Sequence, residues 1–189
     1  IETELMLADM DSLEKRVVSL EKKGKQGDKE AKEMADLMNR ALVLLREGKP
    51  ARLVQRTADE EKMFRGLGLL SSKPVLYVCN VEEASADKGN AFSAQVLAHA
   101  KSEGAQAVIV SAKIESEIAI LPLADQKDYL DAVGLEEPGL NRVIRAGYDL
   151  LHLVTSFTVG PKEARAWTIT RGTKAPAAAG VIHTDFEKG

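Results

Sequence analysis

With 44% hydrophobic and 29% charged side chains, a chain of 189 residues has the make-up of a folded protein and room for one large domain or two small ones. No apolar run approaches the roughly 20 residues that span a bilayer, and the opening stretch IETELMLADMDSLEKR is acidic and helical, so neither a membrane span nor a secretory signal is expected. One cysteine, Cys79, excludes an internal disulfide framework and points to a reducing compartment, with the cytoplasm as the expected location.

The net charge of −3 is unevenly distributed. Residues 1–70 balance 14 basic against 14 acidic side chains, residues 71–150 carry 7 against 12, and residues 151–189 carry 5 against 3. Within the first part, residues 15–32 hold seven Lys or Arg against three Asp or Glu. Such an excess attracts a phosphate backbone, although solvated helix ends are commonly lysine-rich as well. The chain does not begin with Met, and its last segment, GVIHTDFEKG, stops without a terminating element; both ends read as cuts.

Three segments are expected. In residues 1–23, Met6, Met10, Leu13, Val17 and Leu20 recur at spacings of 4, 3, 4 and 3, an apolar seam of coiled-coil type. Gly24 is expected to stop this helix, with GKQGD as the turn and Asp28 as the next cap. Ala31, Met34, Met38, Ala41, Leu42 and Leu45 repeat the pattern, so residues 1–70 are predicted to form an antiparallel helical hairpin. TADE at 57–60 is a capping box that announces a short third helix.

Residues 71–154 read as α/β. The strand 74–79 is a continuous apolar run, expected of a parallel strand covered on both faces. Asn90 caps a helix over 91–103, Gly104 ends it, and a strand at 106–110 completes a right-handed crossover. Further helices are predicted at 113–121, 125–133 and 140–153. Residues 155–189 change texture: SFTVGPKEARAWTI is a hairpin around Gly160 and Pro161, and APAAAGVIHTDF (175–186) is a short helix, the opening of a β-grasp module.

Ligands of open parallel sheets sit at the carboxyl ends of strands. Asn80 ends the first strand, and its amide both donates and accepts, which suits a purine's N7 and six-position group. Ser111, Ala112 and Lys113 end the neighbouring strand, where small residues admit the base and the lysine stem can lie along the ring. Guanine recognition of the Asn-Lys-x-Asp type is altered here to Asn80-Val81-Glu82-Glu83, which weakens a guanine preference and admits adenine. On spacing alone the competing reading, in which Asn80 only satisfies a turn, stands beside this one. Cys79, in a strand, reads as a small hydrophobe; His99, His152 and His183 lack metal-ligand spacing, and no nucleophile–base pair is evident. No catalytic residue and no metal ligand are predicted.

The stretches PVLYVCNVEEAS, VIVSAKIESEIA, GLNRVIRAGYDLLHLVTSFTVGPKEARAWTI and GTKAPAAAGVIHTDFEKG together resemble the YchF family, the Obg-like ATPases of the translation-factor-related P-loop GTPases. The resemblance covers essentially the whole chain. It implies a fold made of the second half of a P-loop NTPase parallel sheet, a coiled-coil hairpin insertion and the start of a TGS domain, with the phosphate loop preceding Ile1. It implies Mg²⁺-dependent hydrolysis of ATP, and of GTP less well, by the complete protein, with the Mg²⁺ ligands upstream, so that this segment alone should be inactive. Matched by position, Asn80, Val81, Glu82, Glu83, Ser111, Ala112 and Lys113 would form the base site. It further implies ribosome or RNA contact, for which the hairpin tip (Lys22, Lys23, Lys25, Lys29) and the TGS surface (Lys162, Arg165, Arg171, Lys174) are candidates. Two other readings are a non-enzymatic adaptor built on the hairpin and the β-grasp module, and a GTPase proper.

Overall fold

The computed structural model describes residues 1–188, which divide into two compact units, Ile1–Pro74 and the residues from Val75 onward. The first unit is helical. Helix α1 (Glu2–Lys25) and helix α2 (Lys29–Arg46) pack side by side through Met6, Leu13 and Val17 on one helix and Ala35, Met38 and Leu42 on the other. Asp28 caps α2, its carboxylate accepting from the Ala31 N–H at 3.0 Å. Gly24 does not end α1, contrary to the expectation; the left-handed residue of the turn is Gly27, at φ +99°. Gly24 serves close approach instead. A Cβ there would stand 3.1 Å from both Cα and Cβ of Lys32 on the opposing helix, so its lack of a side chain lets the two helix ends meet.

A 3-10 helix (Ala51–Leu53) and helix α3 (Ala58–Gly66) follow, and Thr57 and Glu60 form the reciprocal capping box. This segment supplies Ala51, Val54, Phe64, Leu67 and Leu69 to the same core cluster. Leu37, outside the predicted α2 stripe, is fully buried in it. Arg56 lies over the Phe64 ring at 4.4 Å from its centroid.

The unit is closed by a buried carboxylate. Asp9, on α1, is only 3% exposed, and it accepts from the Leu70 N–H at 2.7 Å, the Ser71 N–H at 2.8 Å and the Ser71 hydroxyl at 2.6 Å. The Ser71 hydroxyl in turn accepts from the Ala51 N–H at 3.1 Å. One side chain thereby satisfies three donors, two of them buried.

The second unit begins with strand β1 (Leu76–Asn80), paired in parallel with strand β2 (Gln106–Val110) in the register Leu76↔Gln106 to Asn80↔Val110. Helix α4 (Ala91–Glu103) makes the crossover. Asn90 caps it by accepting from Phe92 and Ser93 N–H, and Gly104 closes it in the left-handed conformation, φ +67°. Among the described residues β1 pairs with β2 alone; no β1 residue is fully buried and Val78 is 49% exposed.

Helices α5 (Ala112–Ile118), α6 (Leu123–Ala132) and α7 (Gly139–Leu150) follow. Glu115 of α5 reaches the start of α7, accepting from Gly139 N–H at 2.7 Å and Leu140 N–H at 3.0 Å, two donors that a helix N-terminus leaves free. Gly139 is itself buried, and a Cβ there would lie 3.0 Å from both Glu115 Oε1 and Val110 Cγ1. Helix α7 ends three residues before the predicted 153, because His152 turns into the left-handed region (φ +52°) and its carbonyl accepts from Arg171 N–H. The hairpin is correspondingly longer than expected: β3 (Leu153–Val159) pairs antiparallel with β4 (Ala164–Thr170). The last helix, α8 (Ala175–Ile182), is broken by extended His183 before a 3-10 turn, Thr184–Glu187, rather than running to 186.

Two stability outcomes follow from these contacts. Asp9→Ala leaves three donors without their acceptor, the two of Ser71 buried and that of Leu70 partly so, and is expected to cost about 2–4 kcal/mol, read from denaturant midpoints, against about 0–0.5 kcal/mol for the exposed Asp11→Ala. Gly139→Ala forces α7 away from Val110 and Glu115 and is expected to cost about 1–3 kcal/mol in the same assay.

Candidate functional site

Asn80, Ala112 and their neighbours meet because β1 and β2 end level with each other. The Asn80 side chain is exposed at the last position of β1, and its Oδ1 accepts from the Ala112 N–H at 2.9 Å. Its Nδ2 donates to no protein group among the described residues. One residue further, Val81 N–H donates to Val110 C=O at 2.9 Å, continuing the ladder. The Val81 side chain is buried at the same step, only 7% exposed.

The two glutamates that follow take different parts. Glu82 folds back on its own loop, accepting from the Ser85 hydroxyl and, at 3.1 Å, from Asn90 Nδ2. The Ser85 hydrogen bond, with help from its own backbone and Asn90, holds the Glu82 carboxyl below the ordinary carboxylate range. Both its oxygens are thus occupied within the loop. Glu83 opens the 3-10 turn Glu83–Ser85 and is exposed. Asn90 has two uses: its oxygen caps α4 while its nitrogen fixes Glu82.

At the second tip, Ser111 is 2% exposed and its hydroxyl finds no partner among the described residues. Ala112 and Lys113 are exposed at the start of α5. The Lys113 ammonium pairs with Glu117 one turn on, and the Tyr129 hydroxyl of α6 donates to the other Glu117 oxygen. The hydrogen bond to Glu117 raises the Lys113 pKa, the bonds from Lys113 and then Tyr129 lower that of Glu117, and Tyr129 is pushed up to about 12, chiefly by Glu117. The lysine–glutamate pair is visible in the i,i+4 spacing; Tyr129, on another helix, leaves no sequence signal and is absent from the predicted site residues.

A cavity of about 330 Å³ opens beside the Asn80 tip, lined by Tyr77, Val78, Cys79, Asn80 and Val81 of the first strand and its end, and by Asn90, Phe92, Ser93 and Val96. It reaches Asn80 but not Ser111, Ala112 or Lys113. Cys79 is half-buried within it. Among the described residues no group of three or more His, Cys, Asp or Glu is placed to hold a metal ion, and no helix is long and apolar enough to cross a membrane.

The basic candidates fall into separate places. Lys22, Lys23 and Lys25 occupy the last turn of α1 and Lys29 the first of α2, all exposed around the hairpin turn. Among the described residues, Lys29 alone of the four pairs with a carboxylate, Glu33 at 4.0 Å. In the second unit, Lys162 lies in the β3–β4 turn, whereas Arg171 and Lys174 lie at the opposite end of the seven-residue strands. At about 3.3 Å per residue that is roughly 20 Å, so the four do not form one patch. Arg165 stacks 4.2 Å over Trp167, whose indole N–H donates to Thr158, and Arg171 faces Asp149 at 3.4 Å.

Residues 153–189, from the first residue of β3, match the family described as YchF-GTPase_C, protein of unknown function (DUF933). Over all its residues the chain is 48% identical to the "Ribosome-binding ATPase YchF" of Haemophilus ducreyi and 44% identical to that of Bacillus subtilis, in each case covering 52% of the relative. The solved structure of the Schizosaccharomyces pombe YchF GTPase superposes on the whole chain with a TM-score of 0.86 at 30% identity, again over 52% of that protein. The chain therefore spans about half the length of the relatives it matches. In sequence over its full extent and in fold, it belongs to the YchF family.

Proposed function

We propose that this chain carries the base-recognition part of a nucleotide site that takes ATP, and GTP less well, in a protein that binds the ribosome. The observation that carries the reading is the Asn80–Ala112 hydrogen bond. It ties two strand tips together and uses only the acceptor half of the Asn80 amide, leaving Nδ2 free to donate to a purine. Names of relatives support the same reading: the Haemophilus and Bacillus proteins are ribosome-binding ATPases, and the fission-yeast protein is a YchF GTPase.

The loop geometry supports adenine tolerance. A guanine is distinguished by a carboxylate that accepts from N1 and N2 together. Glu82 spends both oxygens on Ser85 and Asn90, so only Glu83 is left to approach a base, with a side chain one methylene longer than aspartate. Val81 replaces a lysine whose stem would otherwise lie along the ring, and it packs inward. Hydrolysis and Mg²⁺ binding in a YchF-type protein need phosphate-binding groups; the described residues do not fit a metal site, and no chemical step is assigned to them.

In this reading the hairpin tip is the end that meets the ribosome. Four exposed lysines within eight positions, three of them with no carboxylate partner among the described residues, form a compact cationic end suited to phosphate.

Asn80→Asp keeps an acceptor for Ala112, removes the amide donor and puts a negative charge in its place. In the full-length protein it is expected to weaken ATP binding about tenfold, by titration of a fluorescent ATP analogue, with the thermal midpoint little changed. Unchanged affinity would refute the base contact. Replacing Lys22, Lys23, Lys25 and Lys29 together by Ala is expected to reduce ribosome co-sedimentation and flatten its salt dependence, by about 0.7–0.9 in log–log slope for each phosphate that is no longer neutralised. ATP affinity should be untouched.

A further inference from the structure

We infer that Glu117 and Tyr129 are positioning residues for the nucleotide base: together they hold Lys113 in a fixed arrangement beside the strand tips before any nucleotide arrives. This inference rests on the reading of Asn80, Ala112 and Lys113 as a base site.

Lys113 stands at the second residue of α5, immediately after the residue that Asn80 binds. A lysine so exposed would ordinarily sample many rotamers, and ordering it on a ligand would cost affinity. Here its ammonium is held by Glu117 at i+4. An isolated pair of this kind on a helix surface is weak and mobile. What distinguishes this one is the third member.

Tyr129 comes from α6, and its hydroxyl donates to the Glu117 oxygen. Its ring packs against the buried cluster of Ala86, Ile114, Ile118, Leu130 and Leu135. The phenol is therefore anchored by packing, the carboxylate is oriented by the phenol, and the ammonium is oriented by the carboxylate. The carboxylate of Glu83, in the loop after Asn80, adds a smaller upward push to the pKa of both Lys113 and Tyr129, after that of Glu117. With the ammonium drawn along α5, the four-carbon stem of Lys113 is left as a preset apolar strip next to Ala112, suited to the flat face of a purine.

The test is a set of affinities for a fluorescent ATP analogue in the full-length protein, with the thermal midpoint of each variant as a control for folding. Tyr129→Phe removes one hydroxyl and is expected to weaken binding about two- to five-fold, and Glu117→Ala about three- to ten-fold, with Glu117→Gln recovering part of the loss because it still accepts from Tyr129. Combined with Lys113→Ala, neither change should weaken binding further, because the lysine through which they act is gone. Losses that persist undiminished in the Lys113→Ala background, or wild-type affinity for both Tyr129→Phe and Glu117→Ala, would overturn the inference. Asn80→Asp separates the levels: if it weakens binding while the Glu117 and Tyr129 variants do not, the positioning role alone fails. If Asn80→Asp and Lys113→Ala both leave affinity unchanged, the base site itself fails and the positioning role with it.

Discussion

The parallel register of β1 and β2, with Asn80 opposite Val110, is the constraint from which the geometry of the strand tips follows. It sets the two strand ends level, so that the Asn80 oxygen meets the Ala112 N–H, and it carries the ladder one step further through Val81. A slip of one residue would turn every β1 side chain to the other face. Asn80 would then lose Ala112, and the Val81 side chain, now packed inward, would be turned outward. The register is held from outside the pair as well: Gly139 and Glu115 seat α7 against Val110, and Gly89, where a Cβ would stand 2.8 Å from Ile109 Cδ1, lets the loop before α4 lie close on β2.

A second theme runs through both units. Carboxylates whose local sequence assigns them to solvent are turned onto donors of the protein. Asp9 takes two backbone N–H groups and a hydroxyl, Glu115 takes the first two N–H groups of α7, Glu82 takes Ser85 and Asn90, and Glu117 takes Lys113 and Tyr129. For Glu82 and Glu117 these bonds lower the pKa below the ordinary value of 4.5. A carboxyl whose folded pKa lies below its unfolded one favours the fold above the unfolded value and loses that contribution as pH falls through the folded one. Acid therefore loosens the loop after β1 and the Lys113 arrangement together.

Local chemistry made much of the architecture legible. The 3–4 spacing of apolar residues marks α1 and α2, TADE marks the start of α3, and Asn90 and Gly104 bracket α4. Departures gather where a residue's local preference is overruled by a neighbour distant in sequence. Gly24 reads as a helix stop but is needed for contact with Lys32, and the helix runs through it. The final turn of the predicted 140–153 helix gives way to β3 because Leu153 pairs with Thr170. Leu37, off the predicted stripe, is buried in a core to which α1 and the segment beyond α2 both contribute.

Composition, periodicity and capping, all properties of neighbouring residues, determined by themselves that the chain is helical at its start, α/β in its middle and a β-hairpin near its end, and they brought Asn80 and Ser111-Ala112-Lys113 to two strand tips. The use each residue is put to was decided only by tertiary structure. Val81 turns inward, Glu82 closes its own loop, Tyr129 supports Lys113 from another helix, and the basic residues of the second unit separate to opposite ends of a hairpin. A side chain's partner depends on register and packing between segments tens of residues apart, and no local preference encodes that distance.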